Sequence, residues 1–290
     1  MKKNRTLIIT SFLVLLFLYY LVINKRVKLV NNIYFNSGLL FNKVKICENY
    51  NLLLKKYLDN SFSAYLISDK GQIIAKHNEN KLFSPASNLK LISTAYALDN
   101  YDIYDTLRTS IYKDKKNNYY LIGEGDPDLT LKDVDNLFSN LSIKNNVIFY
   151  LVEIPENFYW PIGWKISDKS YDYGAPITSL AIKSNINSNI NVQFLRDYIY
   201  DFISLKYPDI LFDVRIIDYQ KINKQKLKLV KEIDSNNILS LITLSNAESH
   251  NFTAESLFKN ASKTWGNNIY DYQIKWLKNK GLPVKNIEIY

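Results

Sequence analysis

Ser84-Pro-Ala-Ser-Asn-Leu-Lys-Leu-Ile-Ser-Thr-Ala-Tyr-Ala-Leu98 is the stretch on which the reading of this chain turns. Ser87 and Lys90 stand three residues apart where an apolar helix begins, so their side chains share one helical face. A serine hydroxyl attacks a carbonyl only once something takes its proton, and a lysine shielded from water can do that. Ser84 and Pro85 mark a turn just before, and Leu89, Leu91, Ile92, Ala95 and Leu98 are expected to anchor the helix in a core. Ser-x-x-Lys is a short pattern that also arises by chance. Its plain alternative is a helix start with Ser87 as cap and Lys90 in water. The rest of the chain has to choose.

The chain has 290 residues, enough for one large or two ordinary domains, and 47% hydrophobic with 22% charged residues suits a globular core. The net charge of +9 is spread among carboxylates. The densest run alternates, as Lys224-Gln-Lys-Leu-Lys-Leu-Val230, which predicts an edge strand with a solvated lysine face rather than a nucleic-acid surface. Nucleic acid is therefore not an expected partner. Cys47 is the single cysteine, which excludes an intrachain disulfide, and with His77 and His250 it makes no zinc ligand set. No metal or organic cofactor is expected. Residues 6–23 carry no charge and are flanked by Lys2, Lys3 and Arg5 before and Lys25, Arg26 and Lys28 after. This reads as an uncleaved signal anchor, a membrane-spanning helix with residues 1–5 as a short cytoplasmic tail.

Beyond residue 60, Ser63–Ser68 and Gln72–His77 read as a hairpin about Asp69-Lys-Gly71. His77 reads as structural. Thr106–Tyr112 and Asn118–Ile122 suggest a second hairpin, closed by the loop Gly123-Glu-Gly-Asp-Pro-Asp-Leu-Thr130, whose Gly-x-Gly lacks the further glycines of a phosphate loop. A helix over Leu131–Leu141 and a strand over Asn146–Leu151 follow. Pro155–Gly174 is an aromatic loop with Phe158, Tyr159, Trp160, Trp164, Tyr171 and Tyr173, suited to packing or to stacking on sugar rings. Lys183–Asn191 reads as a polar linker. Helices are expected over Phe194–Leu205, Ile238–Leu244, Thr253–Trp265 and Tyr270–Lys280. Strands are expected over Leu211–Tyr219, Leu227–Ile233 and Leu282–Tyr290.

Ser249-His250-Asn251 is the second element with chemistry in it. A hydroxyl such as Ser249 can relay a proton to a leaving amine, and an amide such as Asn251 can hold a lysine and a substrate amide. Ser-x-x-Lys followed by Ser-x-Asn is the ordered pair used by serine acyl-transfer enzymes that react with penicillin. Five blocks occur in order: Pro85-Ala-Ser-Asn-Leu-Lys-Leu91, Leu121-Ile-Gly-Glu-Gly-Asp-Pro-Asp-Leu129, Gly163-Trp164, Tyr173-Gly-Ala-Pro-Ile-Thr-Ser-Leu180 and Glu248-Ser-His-Asn-Phe-Thr-Ala-Glu255. In them the chain resembles the peptidase S13 family of D-alanyl-D-alanine carboxypeptidase/endopeptidases, the penicillin-binding protein 4-like group, over about residues 60 to 290. The 162 positions from Ser87 to Ser249 suit a family with a domain inserted there.

The resemblance implies an α+β fold, a β-lactamase/penicillin-binding-protein-like antiparallel sheet with helices. The transpeptidase-like domain would comprise residues 24–104 and 226–290, interrupted by an inserted domain at 105–225. It implies Ser87 as nucleophile, Lys90 as general base, and Ser249 and Asn251 as the second-motif pair, with His250 in place of the usual Asp and pointing away from the reacting centre. Expected partners are peptidoglycan peptides ending in D-Ala-D-Ala, β-lactam antibiotics as acylating inhibitors, and the membrane through residues 6–23. The body would lie in the bacterial cell envelope on the periplasmic side, or be secreted if the signal is cleaved. The family pattern runs on into Asp-Gly-Ser-Gly and Lys-Thr-Gly segments, and neither occurs here. The chain is therefore expected to be C-terminally truncated. The alternative to an active carboxypeptidase is an inactive peptidoglycan- or penicillin-binding scaffold.

Overall fold

Two apolar runs about a turn at Lys70 make the first hairpin, with β1 (Tyr65–Asp69) antiparallel to β2 (Gln72–His77). Lys70 adopts a left-handed φ of 47°, as a tight hairpin turn requires. The computed structural model describes residues 65–282 except 71, 82, 83, 144, 145, 162, 163, 187–190 and 266–268, together with 52, 54, 56 and 284. The 6–23 segment, Cys47 and nearly all of the strand expected over Leu282–Tyr290 fall outside the described residues. Among the described residues no helix is long and apolar enough to cross a membrane. The chain divides into two units, Met1–Ser84, which holds the hairpin, and Pro85–Tyr290.

The second unit is built on a five-stranded sheet of β3 (Thr106–Lys113), β4 (Tyr119–Gly123), β5 (Val147–Glu153), β6 (Phe212–Asp218) and β7 (Lys228–Asn237). The order is β6-β5-β4-β3-β7. The lysine-rich run therefore does feed an edge strand. The α+β class holds, and this sheet, built from strands between 106 and 237, is mixed. β3 pairs antiparallel with β4 and β7, whereas β4, β5 and β6 run parallel. Parallel neighbours need a crossover, and α1 to α6 supply two of them. In chain order these helices are α1 (Leu89–Leu98), α2 (Leu131–Phe138), α3 (Val192–Lys206), α4 (Ile238–Ala247), α5 (Asn251–Ala261) and α6 (Ile269–Asn279). The crossovers are α2 between β4 and β5, and α3 between β5 and β6.

Ile111, Leu121 and Leu151 lie in register across β3, β4 and β5 and face Val134, Leu137 and Phe138 of α2 and Leu195, Ile199 and Ile203 of α3. Each such side chain, fully buried, contributes about 1.5–3 kcal/mol. Thr130 caps α2 reciprocally with Asp133, which sets where that helix starts. A separate core joins Tyr96 and Ala97 of α1 to Ile238, Leu241 and Ile242 of α4 and Leu257, Phe258 and Ala261 of α5. Here the sequence reading needs correcting. Leu91 is 58% and Leu98 43% exposed, and the buried side of α1 is Ser93, Thr94, Tyr96 and Ala97. Polar bonds turn the helix this way: Thr94 meets Asn246 of α4, and Gln273 of α6 donates to Ser93 at 3.2 Å.

The linker expected over Lys183–Asn191 begins, as far as Ile186, as a turn that buries Ser184 and Asn185 and leaves Lys183 and Ile186 exposed. Lys183, Ser184 and Asn185 take φ of 47°, 56° and 55°. Ser184 Oγ donates to Pro127 O, and Asn185 Nδ2 donates to Pro176 O and Thr178 Oγ1. Polar side chains are buried here because they satisfy loop backbone that the sheet cannot reach. Nearby, Glu153 ends β5 wholly inside the protein and accepts from the N–H groups of Ile154, Ser179 and Leu180 and from Ser179 Oγ. Gly123 has no room for a side chain: a Cβ there would lie 2.0 Å from Ser179 O. The glycine pair is thus a packing device, as its incomplete pattern suggested. Glu153→Ala orphans three buried N–H groups, and we expect it to lower unfolding free energy by on the order of 3 kcal/mol, read as a shifted urea midpoint.

Candidate active site

Ser87 sits in a 3-10 turn, Ala86–Asn88, that runs directly into α1. Ala86 has a φ of 45°, a left-handed backbone that only glycine adopts without strain. The turn leaves Ser87 exposed and places Lys90, half-buried, one turn later. The second side of the site comes from the end of α4. There His250 N donates to Ser245 O at 3.0 Å, and Ser249 has a φ of 55°, which together form the left-handed closure that commonly ends a helix. Glycine usually fills that position. A serine there swings its hydroxyl toward α1.

The three groups close a triangle. Lys90 Nζ is 3.2 Å from Ser87 Oγ and 3.2 Å from Ser249 Oγ, and Ser249 Oγ donates to Ser87 Oγ at 2.8 Å. As an ammonium Lys90 donates to both hydroxyls; as a free amine it can accept the Ser87 proton. Burial lowers Lys90 below the ordinary lysine range, and the Glu255 carboxylate partly restores it. A lysine so poised spends more time as a base near neutral pH. Asn251 opens α5 beside the triangle, but its amide nitrogen donates to Tyr173 O at 2.8 Å. Among the described residues it makes no bond to Lys90. His250 stands at the N-cap position of α5 without a side-chain cap bond, and its Nδ1 meets Thr253 Oγ1 at 2.7 Å, so the ring takes no part in the triangle. Burial lowers its pKa, opposed by Asp128 and reinforced by Lys90. His77 engages Asn78. Among the described residues no group of His, Cys, Asp and Glu could hold a metal.

The aromatic loop is mostly packing. Phe158, Tyr159 and Trp164 join Ile154, Ile177, Ala181, Phe252 and Trp265 in a third core. Trp160 donates to Gly174 O at 2.8 Å, and Lys169 lies over its ring. Tyr171 and Tyr173 remain outside, stacked at 5.2 Å. Residues that sequence reasoning passed over are Glu153, Glu255 and Lys259. The last two lie one and two turns beyond Asn251, a spacing that carries no signal until the helix is packed.

The fold brings a serine, a lysine and a second serine within hydrogen-bond reach of one another. Residues 51–193 match the model of the D-Ala-D-Ala carboxypeptidase 3 (S13) family. The fold is similar to that of penicillin binding protein 4 (dacB) from Haemophilus influenzae, solved with a novel β-lactam. The TM-score is 0.52 at 16% identity, covering 79% of this chain and 68% of that one. A predatory endopeptidase from Bdellovibrio bacteriovorus, solved in complex with an immunity protein, aligns at a TM-score of 0.43 and 16% identity, covering 79% of this chain and 62% of that one. No curated protein matches the chain by sequence.

Ser249→Gly removes a hydroxyl and relieves the left-handed backbone together. We expect thermal stability to hold or rise by up to about 1 kcal/mol, read from the melting temperature.

Proposed function

We propose that the chain is a serine-type D-alanyl-D-alanine carboxypeptidase/endopeptidase that acts on peptidoglycan stem peptides through an acyl-enzyme at Ser87. The observation that carries this reading is the closed triangle of Ser87, Lys90 and Ser249. Neutral Lys90 takes the Ser87 proton as Oγ attacks the carbonyl carbon of the D-Ala-D-Ala bond. The C–N bond then breaks, and the proton passes through Ser249 to the departing D-alanine amine. Water attacks the resulting ester, Lys90 again receives the proton, and Ser87 is regenerated. Asn251 would hold the substrate amide once it exchanges its bond to Tyr173.

A β-lactam presents the same carbonyl in a strained ring whose amine cannot diffuse away, so acylation at Ser87 would persist. The Haemophilus influenzae neighbour was solved with such a molecule. The substrate class lies outside the cytoplasmic membrane, which assigns residues 6–23 the part of signal anchor and puts the body on the periplasmic side. The division into 24–104 and 226–290 about an insertion at 105–225 accompanies this reading.

Fluorescent penicillin is the test. We expect one covalent label per chain, lost in Ser87→Ala and formed roughly 10²-fold more slowly in Ser249→Gly, which keeps its fold. Because Lys90 must be neutral to act, the labelling rate should climb with pH through a midpoint below that of an ordinary lysine. Label that survives Ser87→Ala would refute the nucleophile. A folded wild-type chain that takes no label would be a non-catalytic scaffold.

A further inference from the structure

Helix α5 carries Asn251, Glu255 and Lys259 at successive i, i+4 positions, so one face runs from the site into the interior. Lys259 is only 4% exposed, and its Nζ lies 5.9 Å from the centre of the Trp265 ring. Glu255 Oε2 is sealed from water and has no hydrogen-bond partner. A carboxylate oxygen left this way is costly, and charge is what can offset the cost. The charges available alternate in sign: Glu153 at the end of β5, Lys259 and Glu255 on α5, and Lys90 on α1. We propose that Glu255 is the positioning residue that sets the protonation of Lys90, and through it the reactivity of Ser87. The inference deepens the acyl-transfer reading above and rests on it.

The electrostatics agree with the placement. Lys90 and Glu255 each favour the ionised form of the other, and Glu255 and Glu153 favour the charged form of Lys259, whose burial nevertheless lowers it below the ordinary lysine range. Burial works against all three charges. The other titratable groups facing this pair are His250, which feels Lys90, and Tyr270 of α6, whose hydroxyl burial and Glu255 both push upward. While Glu255 is ionised it favours Lys90 as an ammonium, against the burial that pushes both groups toward their neutral forms. When Glu255 takes up a proton, Lys90 is released as the amine that Ser87 needs.

The test reads Lys90 directly, so it does not require activity. Lysines of the full chain are reductively methylated with ¹³C-formaldehyde, and the Lys90 resonance is assigned by its loss in Lys90→Met. We expect its titration midpoint to fall by roughly one pH unit in Glu255→Gln and to stay near wild type in Glu255→Asp. The acid limb of penicillin labelling should move down with it, whereas a residue serving only the fold would lower the plateau and leave the limb in place. If the Gln variant does not fold, the reciprocal measurement decides: the ¹³C-carboxyl titration of Glu255 should rise in Lys90→Met. Unmoved midpoints would overturn the proposal. Should the wild-type chain take no label, the acyl-transfer reading falls, and the Lys90 midpoint still upholds or overturns the coupling.

Discussion

The buried carboxylate of Glu153 ties the end of β5 to the Ser179–Leu180 segment. Removing a carboxylate from water costs several kcal/mol unless its oxygens are fully engaged. Here three backbone N–H groups and one hydroxyl engage them. The result is that residues 178–180 are clamped to the end of β5. Ser179 O then accepts from Gly125 N at 2.9 Å, and the β4 loop is drawn onto α5, where a Cβ on Gly125 would strike Trp265 and Ser256. Asn260 of α5 completes the tie by donating to Glu124 O. Where α5 lies, and therefore where Ser249 and Asn251 lie, follows from this chain of contacts.

The site itself stores backbone strain on both sides. Ala86 and Ser249 are left-handed without being glycine. Such residues cost on the order of 1–3 kcal/mol each and persist only where their surroundings over-determine them. On the α1 side the determinants are Tyr96, set edge-on to Phe258 and Trp276, and the Thr94–Asn246 bond. On the α4 side they are the His250 N–H to Ser245 bond and the Asn237 cap at the other end of the helix. Rigid helices thus hold three reactive atoms within hydrogen-bond reach, which is the condition for proton transfer among them.

Much of the fold was legible in the sequence. The second hairpin, the helices after residue 190 and the edge strand all fall within a few residues of their expected bounds, because alternation and helical spacing are local signals. The Ser87, Lys90 and Ser249 pattern was also visible in the sequence, and the fold brings those three side chains together. Orientation was not. Leu91 and Leu98 look like core in the sequence and face outward, because which side of α1 is buried depends on α4, α5 and α6. Ser184 and Asn185 look like part of a solvated linker and are interior, because their polar side chains bond to loops that the sequence does not place beside them.

By itself, then, the sequence determined the elements, their order and the Ser-x-x-Lys and Ser-x-Asn patterns, all properties of neighbours along the chain. Only the tertiary structure decided that Lys90 meets a serine 159 positions away, that Asn251 binds Tyr173, and that a buried carboxyl group couples to the lysine. Hydrogen bonds and electrostatic coupling fall off with distance in space. Their partners therefore come into being only when the packed core brings distant segments together.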